Sequence, residues 1–257
     1  MQKAQVKFDL ADYIVKSSLL FLIVWFLVGC GEMQSSLTQL SIDTNAPVSV
    51  EDPGTEEEPS TPPTTTPPTT PPPEPVYAPV IPLWESEHQD GKKWTTHVKA
   101  ELERIGKDLL SVLPEDRSTF CPNYRNLKSE HRKSFWAYLL SQMVRYESNF
   151  DPDRRYEEDF DDSSGNPVIS RGLLQISIES GNDYGCGFDR SSDLHDPLQN
   201  LSCGIRILNR WMENDHRIAS RVDGDWKGGA RYWSVLRSTS DSYSKIVSAM
   251  KVISICK

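Results

Sequence analysis

This 257-residue sequence is short of basic charge: 28 Lys and Arg stand against 37 Asp and Glu, for a formal net charge of -9. A general nucleic-acid binder shows the opposite balance, so nucleic acid is not expected as a partner. No Cys-x-x-Cys occurs, and the five His are scattered at 88, 97, 131, 195 and 216, so neither a zinc site nor any cofactor is expected. The longest apolar run, Leu19 to Val28, is about half the ~20 residues a spanning helix needs. That excludes a polytopic membrane protein. Nothing alternates long enough for a large sheet, and nothing repeats beyond one proline tract.

Composition is uneven along the chain. Residues 1–29 carry Lys3, Lys7 and Lys16 ahead of the apolar run, the pattern of a secretory signal peptide. Leu27-Val28-Gly29-Cys30 resembles the bacterial lipobox, which implies removal of 1–29 and lipidation of Cys30. Several acyl chains anchor stably where one would not. Residues 30–83 read as a disordered Pro/Thr/Glu-rich linker. Its 31–80 portion holds 12 of the 18 prolines, eight acidic residues and no Lys or Arg. Such a segment cannot bury a core. The remainder, 84–257, is long enough for one well-buried domain.

Four cysteines fall in that domain. In an exported protein they suggest two disulfides with three connectivities. Cys186–Cys203 and Cys121–Cys256 are favoured, because the first brackets one loop and the second clamps the domain's ends. The domain reads as mainly helical. Positions 136, 139, 140, 143 and 144 keep helical spacing in a helix over 134–147, which should stop near Asp151-Pro152. Asp196-Pro197 opens a second helix with the stripe Leu198, Leu201, Ile205, Leu208 and Met212. Shorter helices are expected over 97–112, 227–236 and 242–255, and an irregular loop or small hairpin over 153–171.

Glu147 is the most informative side chain. It continues the apolar face of Trp136, Leu140 and Val144, in the last turn of its helix. Desolvation and the helix carbonyls there favour a protonated carboxyl, as a general acid requires. The competing reading is a partly exposed Glu paired with Arg145, Arg154 or Arg155.

Four motifs follow one another. Glu147-Ser148-Asn149-Phe150 precedes Gly172-Leu173-Leu174-Gln175-Ile176, then Asp196-Pro197-Leu198-Gln199-Asn200, then Ala230-Arg231-Tyr232-Trp233. Over about 130–240 this order resembles the soluble lytic transglycosylase domain family, which shares its fold with goose-type lysozyme. Leu174 stands where the family usually has Met, and Trp233 where Asn is usual. The resemblance implies a mainly α, lysozyme-like α+β domain with a substrate cleft. It implies cleavage of the MurNAc-β-1,4-GlcNAc bond of peptidoglycan glycan strands with a 1,6-anhydro product. Glu147 matches the catalytic acid, and Ser148, Gln175, Tyr232 and Asn200 match substrate-binding positions. For Asn200, hydrogen bonding at the helix start is an equal alternative.

Two rivals follow. An inverting hydrolase needs a second carboxylate about 6.5–9.5 Å from the first, and Asp159, Asp161 and Asp162 are the candidates. A non-catalytic peptidoglycan-binding lipoprotein is the other. A monomer is expected, held to a membrane through Cys30. Gly31 after Cys30, by resemblance to Gram-negative sorting, favours the outer membrane facing the periplasm.

Overall fold

A computed structural model describes residues 75–257. The predicted signal peptide, Cys30 and the linker up to residue 74 lie outside the described residues. Helix α1 (Trp84–Glu87) leads into α2 (Gly91–Arg104), α3 (Lys107–Ser111), α4 (Arg117–Phe120) and the long α5 (Ser129–Glu147). A hairpin of β1 (Arg155–Asp161) and β2 (Pro167–Arg171) follows, then α6 (Ile178–Asp183) and the second long helix, α7 (Pro197–Asp215). Strands β3 (Ala219–Val222) and β4 (Asp225–Gly228) and helix α8 (Asp241–Val252) complete the order. Both sheets are two-stranded and antiparallel. The fold is therefore mainly helical.

The apolar spacing that marks α5 is its buried face: Phe135, Trp136, Leu139, Leu140, Met143 and Val144 are all fully buried. Trp136 donates its indole N–H to the Leu109 carbonyl at 2.7 Å, which ties α5 to α3. Helix α7 starts as its sequence dictates. The Asp196 carboxylate accepts the N–H groups of Leu198 (2.8 Å) and Gln199 (3.1 Å), and Pro197 fills the first helical position. Its stripe of Leu201, Ile205, Leu208 and Met212 is buried.

Three expectations change. The helix expected over 97–112 is two helices, broken at Ile105-Gly106, where the Gly106 N–H folds back onto the carbonyls of Glu101 and Leu102. The helix expected over 227–236 is instead strand β4 followed by 3-10 turns at Gly229–Arg231 and Ser234–Leu236. Asp223-Gly224, with φ of 50° and 90°, makes the tight turn that pairs β4 with β3. Packing also begins before residue 84: Asn123 donates to the Tyr77 hydroxyl at 3.0 Å, and the Tyr77 ring meets His131 edge-on.

The cysteines are joined as Cys121–Cys256 and Cys186–Cys203, across 135 and 17 residues. The first pair links the end of α4 to the chain's last turn. The second fastens the loop after α6 to α7.

Candidate active site

Glu147 is the last residue of α5 and is partly exposed. The chain turns sharply behind it. Asn149 and Phe150 both have positive φ, 55° and 64°, a conformation that is costly for a bulky residue. Phe150 is held there because its ring is 7% exposed in the core, and the N–H groups of Ser148 and Asn149 both return to the Val144 carbonyl. Ser148 itself is 5% exposed, with its hydroxyl donating to Val144 at 3.3 Å. Ser148 thus helps to close the helix end.

The segment Arg171–Ile176 is a tight turn, its ends paired through two backbone hydrogen bonds of 3.0 Å. Gly172 has φ 74°, and a Cβ there would lie 2.1 Å from the Leu194 carbonyl oxygen, so no other residue fits. Gln175 also has positive φ, 48°. Its side-chain amide donates to the carbonyls of Gly172 (2.8 Å) and Arg154 (3.1 Å), lashing the turn to the strand that leaves the Glu147 loop.

The turn is braced from beneath. Asn200 accepts the Leu174 N–H at 2.9 Å and donates to the carbonyls of Arg171 (3.1 Å) and Leu194 (3.0 Å). It has no exposed surface. A sugar cannot reach it, so the substrate contact expected of Asn200 is corrected to a structural one. Trp233 donates its indole N–H to the Leu174 carbonyl at 2.9 Å and is likewise buried. Leu174 lies over Gly204, where a Cβ would come within 2.2 Å of it.

Tyr232 closes another side. Its hydroxyl shares a 2.6 Å hydrogen bond with Ser180, and its ring meets those of Tyr184 and Trp233. Burial pushes its phenol well above the ordinary range, and the Glu147 charge adds to the effect. Tyr232 therefore stays a neutral hydroxyl. Arg237, partly buried, donates to the carbonyls of Ala230 (2.9 Å) and Arg231 (3.2 Å). Burial pulls its guanidinium down, whereas the Glu147 carboxylate pushes it back up. So Tyr232 and Arg237 both lie within the field of Glu147. Arg237 was not legible in the sequence, because it belongs to none of the four motifs.

The hairpin supplies the other carboxylates. Asp159 and Asp161 are exposed. Asp162 holds the hairpin's own turn: one of its oxygens accepts the N–H groups of Ser164 (2.9 Å) and Asn166 (2.8 Å). Those hydrogen bonds, Asn166 first, keep its carboxyl below the ordinary value and make it a weaker base. That oxygen is engaged in the hairpin's turn. The carboxylate that β1 does cover is Glu158, which accepts the hydroxyl of the nearly buried Ser170 at 2.7 Å. Sequence reasoning passed over it because Glu157, Glu158 and Asp159 are equivalent until the strand is paired. Among the described residues, no group of three His, Cys, Asp or Glu could hold a metal ion.

A family model for the transglycosylase SLT domain matches residues 125–221. Comparison with curated proteins finds no match. Among solved structures, Bd0314 DslA wild-type form 2 is 63% identical with a TM-score of 0.69, covering 70% of this chain and 100% of that one. Two single-substitution mutants of Bd0314 DslA, each with a glutamate changed to glutamine, are 62% identical with the same TM-score and coverage.

Proposed function

This chain belongs to the transglycosylase SLT domain family, a membership that supports a peptidoglycan-acting function, and on that premise we propose that it is a lytic transglycosylase. In this reading it cleaves the MurNAc-β-1,4-GlcNAc bond with Glu147 as general acid and then as base. One observation carries it: Glu147 ends a buried helix, partly exposed, with a neutral phenol and a guanidinium within its field. A glycosidic oxygen leaves only when protonated, so the carboxyl first gives up its proton. It then accepts the proton of the muramyl 6-hydroxyl as that oxygen closes on C1 to give the 1,6-anhydro end. The proton count balances without water. Arg237 favours the carboxylate formed after the first step, and Tyr232 offers a hydroxyl that donates without ionising. Gln175, on the Arg171–Ile176 turn, is assigned to substrate contact from that side.

A second reading has a specific observation behind it. The glutamates replaced in the two mutants of Bd0314 DslA are eleven residues apart, and each was changed to the shape-conserving glutamine. Glu147 and Glu158 are the one glutamate pair with that spacing among the described residues. A second carboxylate on β1 would serve a hydrolase that activates water. Glu158 then replaces Asp159, Asp161 and Asp162 as the candidate for that role.

Product analysis separates the two. Digestion of purified sacculi is expected to release muropeptides ending in 1,6-anhydromuramic acid, read by mass. Free reducing ends would mean hydrolysis, and no release from denuded glycan would remove both readings. Glu147→Gln keeps the shape and removes the acid, so turnover should fall by about 100-fold or more. Near-normal turnover would overturn its role. We further propose that the enzyme is a monomer tethered through lipid on Cys30 at the outer membrane. Metabolic labelling with a fatty acid, lost in Cys30→Ala, tests the anchor.

A further inference from the structure

A second site lies on a different face of α7 from Asn200 and Gly204. Gln199, Ser202, Cys203 and Arg206 repeat at helical spacing along that face, opposite His97, Glu101 and Arg104 of α2. Between them is a cavity of about 230 Å³, lined by His97, Arg104, Gln199, Ser202 and Arg206, with Leu198 and the Cys186–Cys203 disulfide as its apolar wall.

The polar groups around this cavity leave it cationic. His97 Nε2 lies 3.0 Å from the Leu198 carbonyl, which can only accept, so that nitrogen carries the proton. It also meets the Ser202 hydroxyl at 2.8 Å, and Ser202 helps to hold the Glu101 carboxyl down. The Glu101 carboxylate takes the Arg104 guanidinium as well, through hydrogen bonds of 2.9 and 2.6 Å. Hydrogen bonding to Arg104 holds this carboxyl below its ordinary value. The single acid here is thus spent on its neighbours, and it is nearly buried. Arg206 is partly buried and has no hydrogen-bond or ion-pair partner among the described residues. Its guanidinium keeps donors open to an anion entering from solvent, and its planar fork fits a carboxylate.

We propose that this cavity binds the terminal carboxylate of a peptidoglycan peptide stem. The proposal rests on the peptidoglycan-acting reading given above. The volume of about 230 Å³ accommodates one amino-acid residue. Leu198 and the disulfide give a small aliphatic side chain, such as that of alanine, an apolar surface beside the charged end. The Cys186–Cys203 bond keeps that wall fixed to α7. The site then selects strands that still carry their stems and takes no part in bond cleavage.

The test is NMR titration of the intact chain with a soluble stem peptide ending in D-alanine, and with the same peptide amidated at its C-terminus. The free acid should shift the resonances of His97, Gln199, Ser202 and Arg206 saturably, and the amide should bind at least tenfold more weakly. Arg206→Gln should weaken the free acid at least tenfold while cleavage of bare glycan stays unchanged. Gln199→Glu, on an exposed rim residue, should weaken it in the same direction without risk to the fold. Equal binding of acid and amide overturns the proposal. So does inorganic phosphate shifting the same resonances at the same concentration, or an Arg206→Gln variant that binds normally. Loss of glycan cleavage with peptide binding intact would instead count against the enzymatic reading.

Discussion

The two segments that follow the Glu147 loop in the chain are built differently. The turn Arg171–Ile176 is fastened on every side: Asn200 and Trp233 take its backbone groups, Gly204 makes room for Leu174, and Gln175 binds its own loop. The β1–β2 hairpin has little beneath it. Five of the seven residues at its acidic end, Glu157 to Ser163, are exposed, Phe160 among them, as is Tyr156, and its register slips between Glu157 and Asp161. Fixed geometry therefore resides in the turn, and variable chemistry in the hairpin. An enzyme needs its reacting group held within a fraction of an ångström, whereas the charges that choose or orient substrate tolerate looser support.

The contrast can be broken most severely at Gly172. Gly172→Ala forces a Cβ against the Leu194 carbonyl at a positive φ, and should cost about 4 kcal/mol or fail to fold. Asn200→Ala leaves two backbone groups of the turn and the Leu194 carbonyl without their partner, and should cost about 3 kcal/mol in urea unfolding. Activity should fall in parallel, although Asn200 touches no substrate.

A smaller effect is expected from pH. Burial would raise the Asp215 carboxyl, but the Arg231 guanidinium and the Gly228 N–H outweigh it and hold the value below the ordinary one. The folded value lies below the unfolded value of about 4, so the stabilisation is complete above that pH. It is lost as pH falls through the folded value. The urea midpoint should therefore drop below pH ~4 in the native protein, and less steeply in Asp215→Asn.

The hairpin should tolerate change best. Glu158→Gln is expected to leave the melting temperature within about 2 °C of native, because its partner Ser170 can still donate to the amide oxygen. Its effect on turnover is the sharper measurement: unchanged for a single-carboxylate transglycosylase, and lowered about tenfold or more if Glu158 activates water. Asp162→Ala should loosen the hairpin turn with no change in turnover. A loss there equal to that of Glu147→Gln would restore Asp162 to the chemistry.

Much of this was legible beforehand, for physical reasons particular to each residue. The α5 and α7 faces declare themselves through apolar spacing, and Asp196-Pro197 announces a helix start by chemistry confined to neighbouring residues. The β3–β4 hairpin was missed although Asp223-Gly224 signals it, since the apolar residues after it also suit a helix. Asn200 and Ser148 illustrate the limit of motif reasoning. Both belong to the pattern of the site, yet one braces the turn and the other closes α5, and a motif does not say which way a side chain faces. Glu158 and Arg237 carry no local signal at all, because their environment comes from residues far along the chain.

The sequence by itself determined that the domain is helical, where its two long helices lie, that Glu147 ends the first of them, and that the acidity of the chain belongs mostly to the segment ahead of the domain. These follow from local propensity, periodicity and covalent order. Tertiary structure alone decided that Tyr232 and Arg237 stand in the field of Glu147 and that one glutamate of β1 is covered while its neighbours are not. It also decided that Arg206 of α7 and Arg104 of α2 line one cavity. Burial and electrostatic neighbourhood depend on contacts between distant segments, and those exist only once the helices have packed.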